Sequence, residues 1–397
     1  MSWLRRVPRI VIMLGVVSLL TDLSSEMIYP LLPIFLTAVL AAGPEALGVI
    51  EGTAEATAAL LKLVSGAWSD RVRRRKPLVV GGYSLASVAR PLIGLAGSWP
   101  VVLALRFADR LGKGLRTSPR DALIADATPA DQRGAAYGVH RAMDHAGAVL
   151  GPLVAAALLK LGGLQIRHIF LLAAVPGAAV VIVLLSAVHE KRPTAPLRTR
   201  PAGSVRATAR ELRPLLAALA VFTLGNSTDA FLLLRLADIG VTAASVAVLW
   251  SALHVVKLTV NTLAGRVSDL AGRRPLMLAG WGVYAAVYAT FAIAHGRVVF
   301  IVAFLIYGAF FGLTEPVEKA WIADLVPAAS RGTAFGLYHA TIGLVALPAS
   351  VLFGVLWKLL GAPAAFTTGA GLAVLAALLL LRAPTGNPRS GPERLPA

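Results

Sequence analysis

Acidic side chains occur at helical spacing inside stretches that are otherwise apolar. Asp22 and Glu26 are four residues apart, and Glu51, Glu55 and Lys62 follow one another at steps of four and seven. These steps place each group on one face of a helix. Because an ionised side chain is costly in hydrocarbon, such residues are predicted to be functional. Burial disfavours the charged form of a carboxyl group, so these carboxylates could exchange protons near neutral pH.

Other apolar stretches also contain ionisable residues, which could contact a polar substrate or pair with the carboxylates. They are Arg90, Arg106, Arg110, Lys113, Asp144, Asp229, His254, Lys257 and Glu315. Asp22 and Glu55 are the strongest candidates for proton coupling. Some charges can simply neutralise a neighbour in the chain, as Glu318 can with Lys319. His140 and Asp144 are one turn apart but His145 points elsewhere, so no metal site is predicted.

The sequence that holds these residues is suited to a bilayer. It is 57% hydrophobic and 15% charged, whereas soluble domains are about 45–50% apolar and about 25% charged. Apolar runs of about 20 residues recur, and their continuous pattern predicts helices rather than barrel strands. We predict an all-α membrane protein with twelve transmembrane helices. The predicted spans are 10–36, 45–69, 77–96, 99–123, 134–159, 168–188, 213–235, 241–264, 275–294, 297–321, 332–358 and 363–382.

One segment of the chain occurs twice. Residues 124–139 are repeated in register at 322–337, an offset of 198. A long fixed period indicates a duplicated architecture, here two similar six-helix bundles. Each copy has an Asp where a span ends, then a Pro, then an Arg where the next span begins. The ionisable residues of the two copies are Asp126, Arg133, Asp324 and Arg331.

Basic residues fall mostly into connections on one side of the predicted spans. This asymmetry assigns that side to the cytoplasm, together with both termini. We therefore predict residues 1–188 as a first bundle, 189–212 as a cytoplasmic linker, 213–383 as a second bundle and 384–397 as a disordered cytoplasmic tail. The expected location is the bacterial inner (plasma) membrane, with the chain as a multi-pass monomer.

Composition also limits the function. The net charge of +18 is distributed over short connections, so it does not indicate nucleic acid. The absence of cysteine excludes disulfides and thiolate chemistry. The sequence contains neither a Gly-x-Ser-x-Gly motif nor a phosphate-binding loop, which argues against an enzyme and against ATP drive. We expect no cofactor, no metal and no enzyme activity, and the expected partners are a small molecule, protons and lipid.

The loop after span two resembles a signature of the major facilitator superfamily, a class of transporters built from two repeated halves. The family pattern is Gly-x-x-x-Asp-Arg-x-Gly-Arg-Arg, and both halves match it in part. Arg73 stands where Gly is usual, and Leu270 stands where the first Arg of the second copy is usual. The resemblance implies a cytoplasmic gate that also includes the residues of the 124–139 repeat. The matching loop residues are Gly66, Asp70, Arg71, Arg74, Gly265, Asp269 and Arg273.

Two more signatures carry the resemblance. Span five fits the Gly-x8-Gly-x3-Gly-Pro pattern, which is associated with antiporters in the family and forms a face of small residues. In span four, Arg110 matches the family's Arg-x-x-x-Gly, and Arg106 offers a competing register. The span-five residues are Gly138, Gly147, Gly151 and Pro152.

The resemblance implies a secondary transporter that works by alternating access. Our leading hypothesis is proton-coupled antiport that exports a small molecule, with coupling in the first half and substrate shape set more by the second. Uptake or exchange of an organic anion is the alternative, since Arg suits carboxylate and phosphate. An intramembrane enzyme or non-transporting receptor is a third class. The cationic residues that favour an anion are Arg90, Arg110, Lys113, Arg116 and Lys257.

Overall fold

The computed structural model describes residues 8–71, 75–128, 133–188, 205–326 and 331–383. In these ranges the regular structure is helical and forms twelve rods. They are α1 (Arg9–Val39), α2 (Pro44–Arg71), α3 (Lys76–Leu95), α4 (Trp99–Ala127), α5 (Arg133–Lys160), α6 (Ile166–Ala187), α7 (Val205–Asp238), α8 (Ala243–Ala271), α9 (Arg273–Ile293), α10 (Arg297–Leu325), α11 (Arg331–Leu360) and α12 (Ala362–Leu380).

Ten of these rods contain a stretch that is long and apolar enough to cross a membrane, judged over the described residues. The other two, α2 and α4, carry the densest sets of charged residues. Both pack inside the bundle, so their charges can be compensated by protein rather than by lipid. The chain is therefore an integral, multi-pass membrane protein, while the count of twelve spans stays a prediction.

The helix contacts repeat with a period of six helices. In the first half, α1 packs on α5 and α6, α3 packs on α4 and α6, and α2 packs on α4. In the second half, α7 packs on α11 and α12, α9 on α10 and α12, and α8 on α10. Each of these contacts of the first half thus has its counterpart in the second, as the sequence repeat predicts.

Two large helix interfaces join the halves, α2 with α11 and α5 with α8. Exchanging the halves converts one interface into the other, which is the property of a pseudo-twofold relationship. Small residues allow the close approach: a Cβ on Gly48 would clash with the Ser350 carbonyl, and one on Gly343 would meet the Ala59 side chain. Helices approach this closely where side chains are small.

The second half begins earlier than predicted. α7 starts at Val205, so residues 205–212 of the predicted linker are helical. Thr208, Leu212 and Leu215 are buried at steps of four and three, while the arginines between them are exposed. This spacing is typical of an amphipathic helix. The basic residues suggested a linker, whereas the spacing of the apolar residues is that of a helix. Residues 189–204 of the predicted linker and the predicted tail 384–397 lie outside the described ranges.

Candidate functional site

A cavity of about 480 Å³ lies between the two halves. α1 and α2 of the first half contribute to its wall, and α7, α10 and α11 of the second half supply most of it. Cavities of roughly 300–1,000 Å³ are typical of small-molecule sites. Its location between two packed halves makes it the candidate functional site.

A break in α7 forms part of the cavity wall. The helix stops at Gly225 and resumes at Ala230, and all four residues between them line the cavity. Helices interrupted near the middle of a bundle leave backbone groups available to a ligand. The sequence prediction missed this break, although Gly225 followed by Asn226, Ser227 and Thr228 is a run of turn-forming residues.

α1 is irregular at the equivalent position. Its regular part ends at Glu26, and a 3₁₀ turn follows at Tyr29–Leu31. The two irregular segments touch each other, since the Tyr29 and Thr228 hydroxyls form a hydrogen bond of 3.1 Å. The structure thus brings the polar residues of both breaks together beside the cavity.

Four of the predicted site residues line this cavity, and they come from both halves. They are Glu55, Lys62, Asp229 and Glu315. Sequence reasoning had grouped Glu51 with Glu55 and Lys62 on one stripe of α2. Glu51 instead lies in the protein interior, fully buried. A shared helix face therefore did not mean a shared environment.

Glu318 also lines the cavity, and Lys319, which could have neutralised it, forms its salt bridge with another carboxylate. The Lys319 ammonium contacts Glu315, one helical turn earlier, at 3.0 Å. Glu318 accepts a hydrogen bond of 2.6 Å from the Tyr338 hydroxyl on α11. Adjacent residues on a helix point about 100° apart, so Lys319 reaches Glu315 while Glu318 reaches Tyr338.

Asp229 binds two partners at the end of the α7 break. Its carboxylate accepts a hydrogen bond of 2.8 Å from the Tyr307 hydroxyl and lies 3.5 Å from the Lys257 ammonium. The Lys257 Nζ atom also lies 3.5 Å from the centre of the Phe311 ring. This wall therefore holds an ammonium between a carboxylate and an aromatic face.

A buried charge network occupies the interior of the first half. Asp109 on α4 is at its centre and is 1% exposed. It contacts Arg90 at 2.7 Å and Arg106 at 3.5 Å, and Arg106 in turn contacts Glu51 at 2.6 Å. Arg90, Arg106 and Glu51 were predicted as proton-coupling or cavity residues; they are buried in the interior, where each pairs with an opposite charge. Asp109 was not selected from the sequence.

Arg106 and Arg110, the two arginines that could match the span-four signature, belong to the same buried charge network. Arg110 lies 3.9 Å from Asp109, and Lys113 is within electrostatic reach of both Glu55 and Asp22. The guanidinium of Arg116 lies over the buried ring of Tyr83 at 4.1 Å. None of these basic residues lines the described cavity wall.

The second half replaces this network with aromatic rings. The offset of 198 places Tyr288 at the position of Arg90 and Tyr307 at the position of Asp109. Tyr288 stacks on Tyr284 at 4.1 Å, and Phe310 packs edge-on against Tyr284 at 5.1 Å. The same helix positions are therefore held by charge pairs in one half and by ring packing in the other.

Asp22 on α1 faces Asp144 on α5. Their carboxyl groups lie within hydrogen-bonding reach of each other, and Ser18 donates a bond of 2.5 Å to Asp144. A hydrogen bond between two carboxyl groups requires a proton on one of them. Both residues were predicted from the sequence, but their contact was not.

Glu26 bonds across the two halves rather than to its neighbours on α1. The Trp250 indole on α8 donates to it at 2.7 Å. His254, one turn further along α8, packs edge-on against Trp250 and has its Nδ1 atom 3.0 Å from the Trp250 carbonyl oxygen. Glu26 and His254 thus belong to the junction between halves and are absent from the described cavity wall.

The repeated corners form matching ion pairs. Arg75 at the start of α3 contacts Asp126 near the end of α4, and Arg273 contacts Asp324 at 3.0 Å in the same way. Each of these two pairs lies within one half and joins two consecutive helices.

Comparison with known proteins agrees with this architecture. The profile of the Major Facilitator Superfamily matches residues 14–236 and 214–396. The chain belongs to this superfamily. It is 33% identical over 383 residues to an uncharacterized MFS-type transporter of Methanocaldococcus jannaschii, covering 95% of each chain. It is also 29% identical over 361 residues to an uncharacterized protein of Mycobacterium tuberculosis, covering 88% of this chain and 87% of the relative.

A solved superfamily structure has the same fold. The nucleoside transporter NupG superposes with a TM-score of 0.79 at 12% identity, covering 94% of this chain and 99% of that protein. At this identity the likeness concerns the fold alone. The bilayer architecture inferred from composition and repeat is therefore confirmed for this superfamily member.

The structure of this superfamily member does not describe the side chains of most predicted gate residues. The backbones of α2 and α8 are helical through Arg71 and Ala271. Their last turns contain the loop signatures, whose side chains are not described. The predicted gate residues without a described side chain are Gly66, Asp70, Arg71, Arg74, Arg133, Gly265, Asp269 and Arg331.

The small-residue signature of span five packs within the first half. Cβ atoms on Gly147 and Gly151 would press against the backbone of α1 at Leu19 and Leu23. Pro152 lies inside the continuous helix α5, and the surroundings of Gly138 are not described. The described part of the motif thus brings α1 and α5 together at Asp22 and Asp144.

Proposed function

We propose that this chain is a secondary active transporter that exports a small molecule by proton-coupled antiport. The observation that carries the proposal is the cavity between two pseudo-symmetric halves. In alternating access, two halves rock about a central site and expose it to each side in turn. The two interfaces α2–α11 and α5–α8 are where such a movement would open and close the bundle.

The Asp22–Asp144 pair supports proton coupling in the first half. Two adjacent carboxyl groups cannot both be charged without strong repulsion, so they hold and release a proton together. Gly147 packs directly against Asp22, which links this pair to the packing of α5. A movement of α5 relative to α1 would therefore change how tightly the proton is held.

Export rests on the resemblance of span five to the antiporter pattern. The organic-anion alternative loses support from the structure, because Arg90 and Lys257 of its cationic set each pair with an internal carboxylate. We further propose cytoplasmic termini, a bacterial inner-membrane location and a monomeric transporter. The loop signatures at the ends of α2 and α8 are proposed as the cytoplasmic gate.

Reconstitution into liposomes tests the proposal. We expect purified protein to move its substrate under an imposed pH gradient, with proton counterflow that a trapped pH-sensitive dye reports. Asp22→Asn should reduce proton counterflow at least tenfold, because it removes one carboxyl of the pair while keeping the side-chain volume.

Asp238→Asn is the matched control, since Asp238 is exposed at the end of α7 and contributes nothing to the pair. Transport that ignores both the pH gradient and a proton uncoupler would contradict proton coupling. A chain that moves no substrate in either direction would contradict the transporter assignment itself.

A further inference from the structure

The cavity wall carries ionisable residues of both signs, and most of them are compensated by a neighbour. Among the described lining residues, Asp229 pairs with Lys257 and Glu315 pairs with Lys319. Glu55 lies in the field of Lys62, Arg110 and Lys113 of the first half. One lining carboxylate is bonded to a neutral group instead.

Glu318 is the exception. Its described side-chain partner is the Tyr338 hydroxyl, which donates a hydrogen bond but carries no charge. Lys319 is within electrostatic reach of Glu318 but forms its salt bridge with Glu315, and no described basic side chain forms one with Glu318. A largely enclosed carboxylate without a salt bridge is costly. A positively charged ligand group in the cavity would supply the missing partner.

The surface next to Glu318 is suited to a cation with an aromatic or apolar body. Phe222, Phe310, Phe311 and Tyr338 line the same wall, together with Leu219 and Ile342. Aromatic faces attract cations, and apolar side chains bury the rest of a ligand. The Asn226 side-chain oxygen is a further acceptor, buried and without a hydrogen-bond partner in the described structure.

One ammonium group of the protein, that of Lys257, is itself bound by a carboxylate and an aromatic ring. Lys257 lies between the Asp229 carboxylate and the Phe311 ring at the other end of the wall. Carboxylate and aromatic ring occur again at Glu318 and Tyr338, where the nearby Lys319 ammonium contacts Glu315 instead. The arrangement is that of a second cation position.

We propose that the cavity binds organic cations, specifically protonated amines with an aromatic or apolar body, and that Glu318 contacts the ammonium. This assignment names the substrate class of the site and rests on the proposed transport function. Tyr338 holds the Glu318 carboxylate in place, and the Phe310–Phe311 surface contacts the ligand body.

Calorimetry on purified full-length protein in detergent tests the assignment with three compounds that share one ring system. They are 1-naphthylmethylamine, 1-naphthalenemethanol and 1-naphthoate, which are cationic, neutral and anionic at pH 7. We expect the amine to bind at least tenfold more tightly than the other two. Equal affinities, or tighter binding of the naphthoate, would overturn the proposal.

Glu318→Gln should lower amine affinity about tenfold and leave the alcohol unaffected. Glu211→Gln is the matched control, because Glu211 is exposed on α7 and does not line the cavity. Tyr338→Phe tests the positioning role and should weaken amine binding less than Glu318→Gln does. An unchanged amine affinity in Glu318→Gln, with the thermal midpoint of the wild type, would overturn the role of Glu318.

The same compounds in liposomes separate this inference from the proposed function. Amine binding without amine-driven proton flux would leave the cation site in place and contradict coupled transport. Proton-coupled movement of the naphthoate alone would support the transporter and contradict the cation site.

Discussion

At the scale of single residues, charge compensation decides where each ionisable group lies. Asp109 contacts Arg90 and Arg106 in the interior, whereas Asp126 and Asp324 pair with arginines at the corners, where the Asp126 side chain is 57% exposed. Pairs exposed to solvent contribute about 0–1 kcal/mol. Breaking a buried pair leaves an uncompensated charge and costs about 3–5 kcal/mol. The same residue type therefore has different consequences in the two environments.

We predict that Asp109→Asn destabilises the protein by about 3–5 kcal/mol, because two guanidinium groups lose their common anion. The measurement is unfolding in mixed detergent–SDS micelles followed by tryptophan fluorescence. Asp238→Asn, an exposed position, should change the unfolding free energy by less than about 0.5 kcal/mol.

A double variant distinguishes charge from packing. Arg90→Met combined with Asp109→Leu removes both charges and should be more stable than Asp109→Asn alone, since apolar replacements of a buried pair are often tolerated. If Asp109→Asn were as stable as Asp238→Asn, the network would not be the organising feature of the first half.

At the scale of elements, small residues set how closely the helices of opposite halves approach. Gly48 on α2 touches the α11 backbone at Ser350, and Gly354 on α11 touches the α2 backbone at Pro44. A methyl group at either contact has no space. The α2–α11 interface is therefore specific to a close packing that larger residues would prevent.

Gly48→Ala should weaken this interface. The added methyl group clashes with a carbonyl oxygen, and overpacking of this kind costs about 1–3 kcal/mol. Gly81→Ala on α3 is the control, because a Cβ there meets nothing within 4 Å and alanine is about 0.5–1 kcal/mol better than glycine inside a helix. Opposite shifts of the thermal midpoint are expected, and two equal shifts would contradict the role of the contact.

At the scale of the whole molecule, a few polar bonds connect the halves. Trp250 donates to Glu26, Tyr29 bonds to Thr228, and Ser251 donates to the Val149 carbonyl at 2.8 Å. Together with the α2–α11 contact, they stabilise one arrangement of the two bundles. An arrangement that separates these residues would lose the bonds, so they bias the equilibrium between states.

Trp250→Phe should shift the molecule away from the arrangement described here. The change removes the N–H donor and leaves Glu26 without that bond, while most of the aromatic packing is kept. The absence of native cysteine allows spin labels at introduced Leu161→Cys and His295→Cys, which lie just beyond the ends of α5 and α9.

Electron-spin distance measurement should then show a changed distribution of label separations. Trp99→Phe is the control, since Trp99 begins α4 at an exposed position within one half. Identical distributions for wild type and Trp250→Phe would show that the Glu26 bond does not influence the relative position of the halves.

Local sequence signals predicted the helices and the duplication well. The apolar runs gave most rod ends to within about four residues, because helix formation in a bilayer depends on local composition. The exceptions are α7, which begins at Val205 rather than 213, and α8, which ends at Ala271 rather than 264. The prediction was less accurate where tertiary packing competes with local pattern. Arginines concealed the helical start at Val205, and the polar run after Gly225 was included in a continuous span.

The candidate site was predicted only in part for a related reason. Helical spacing showed that Glu51 and Glu55 share a face of α2, but it could not show that Arg106 binds Glu51. Glu318 was dismissed because Lys319 follows it in sequence, whereas the fold directs Glu318 to Tyr338. Asp109 was visible as a charge in α4, yet its central position depends on arginines from two helices.

The sequence by itself determined that this protein belongs in a membrane, that it consists of two similar halves, and that each half carries the same charged corner. Those properties follow from composition and repetition along the chain. The tertiary structure alone decided which charges face the cavity and which enclose one another. The physical reason is that compensation requires an opposite charge within about 4 Å, and Glu51, Asp109 and Asp229 each contact a cation from another helix.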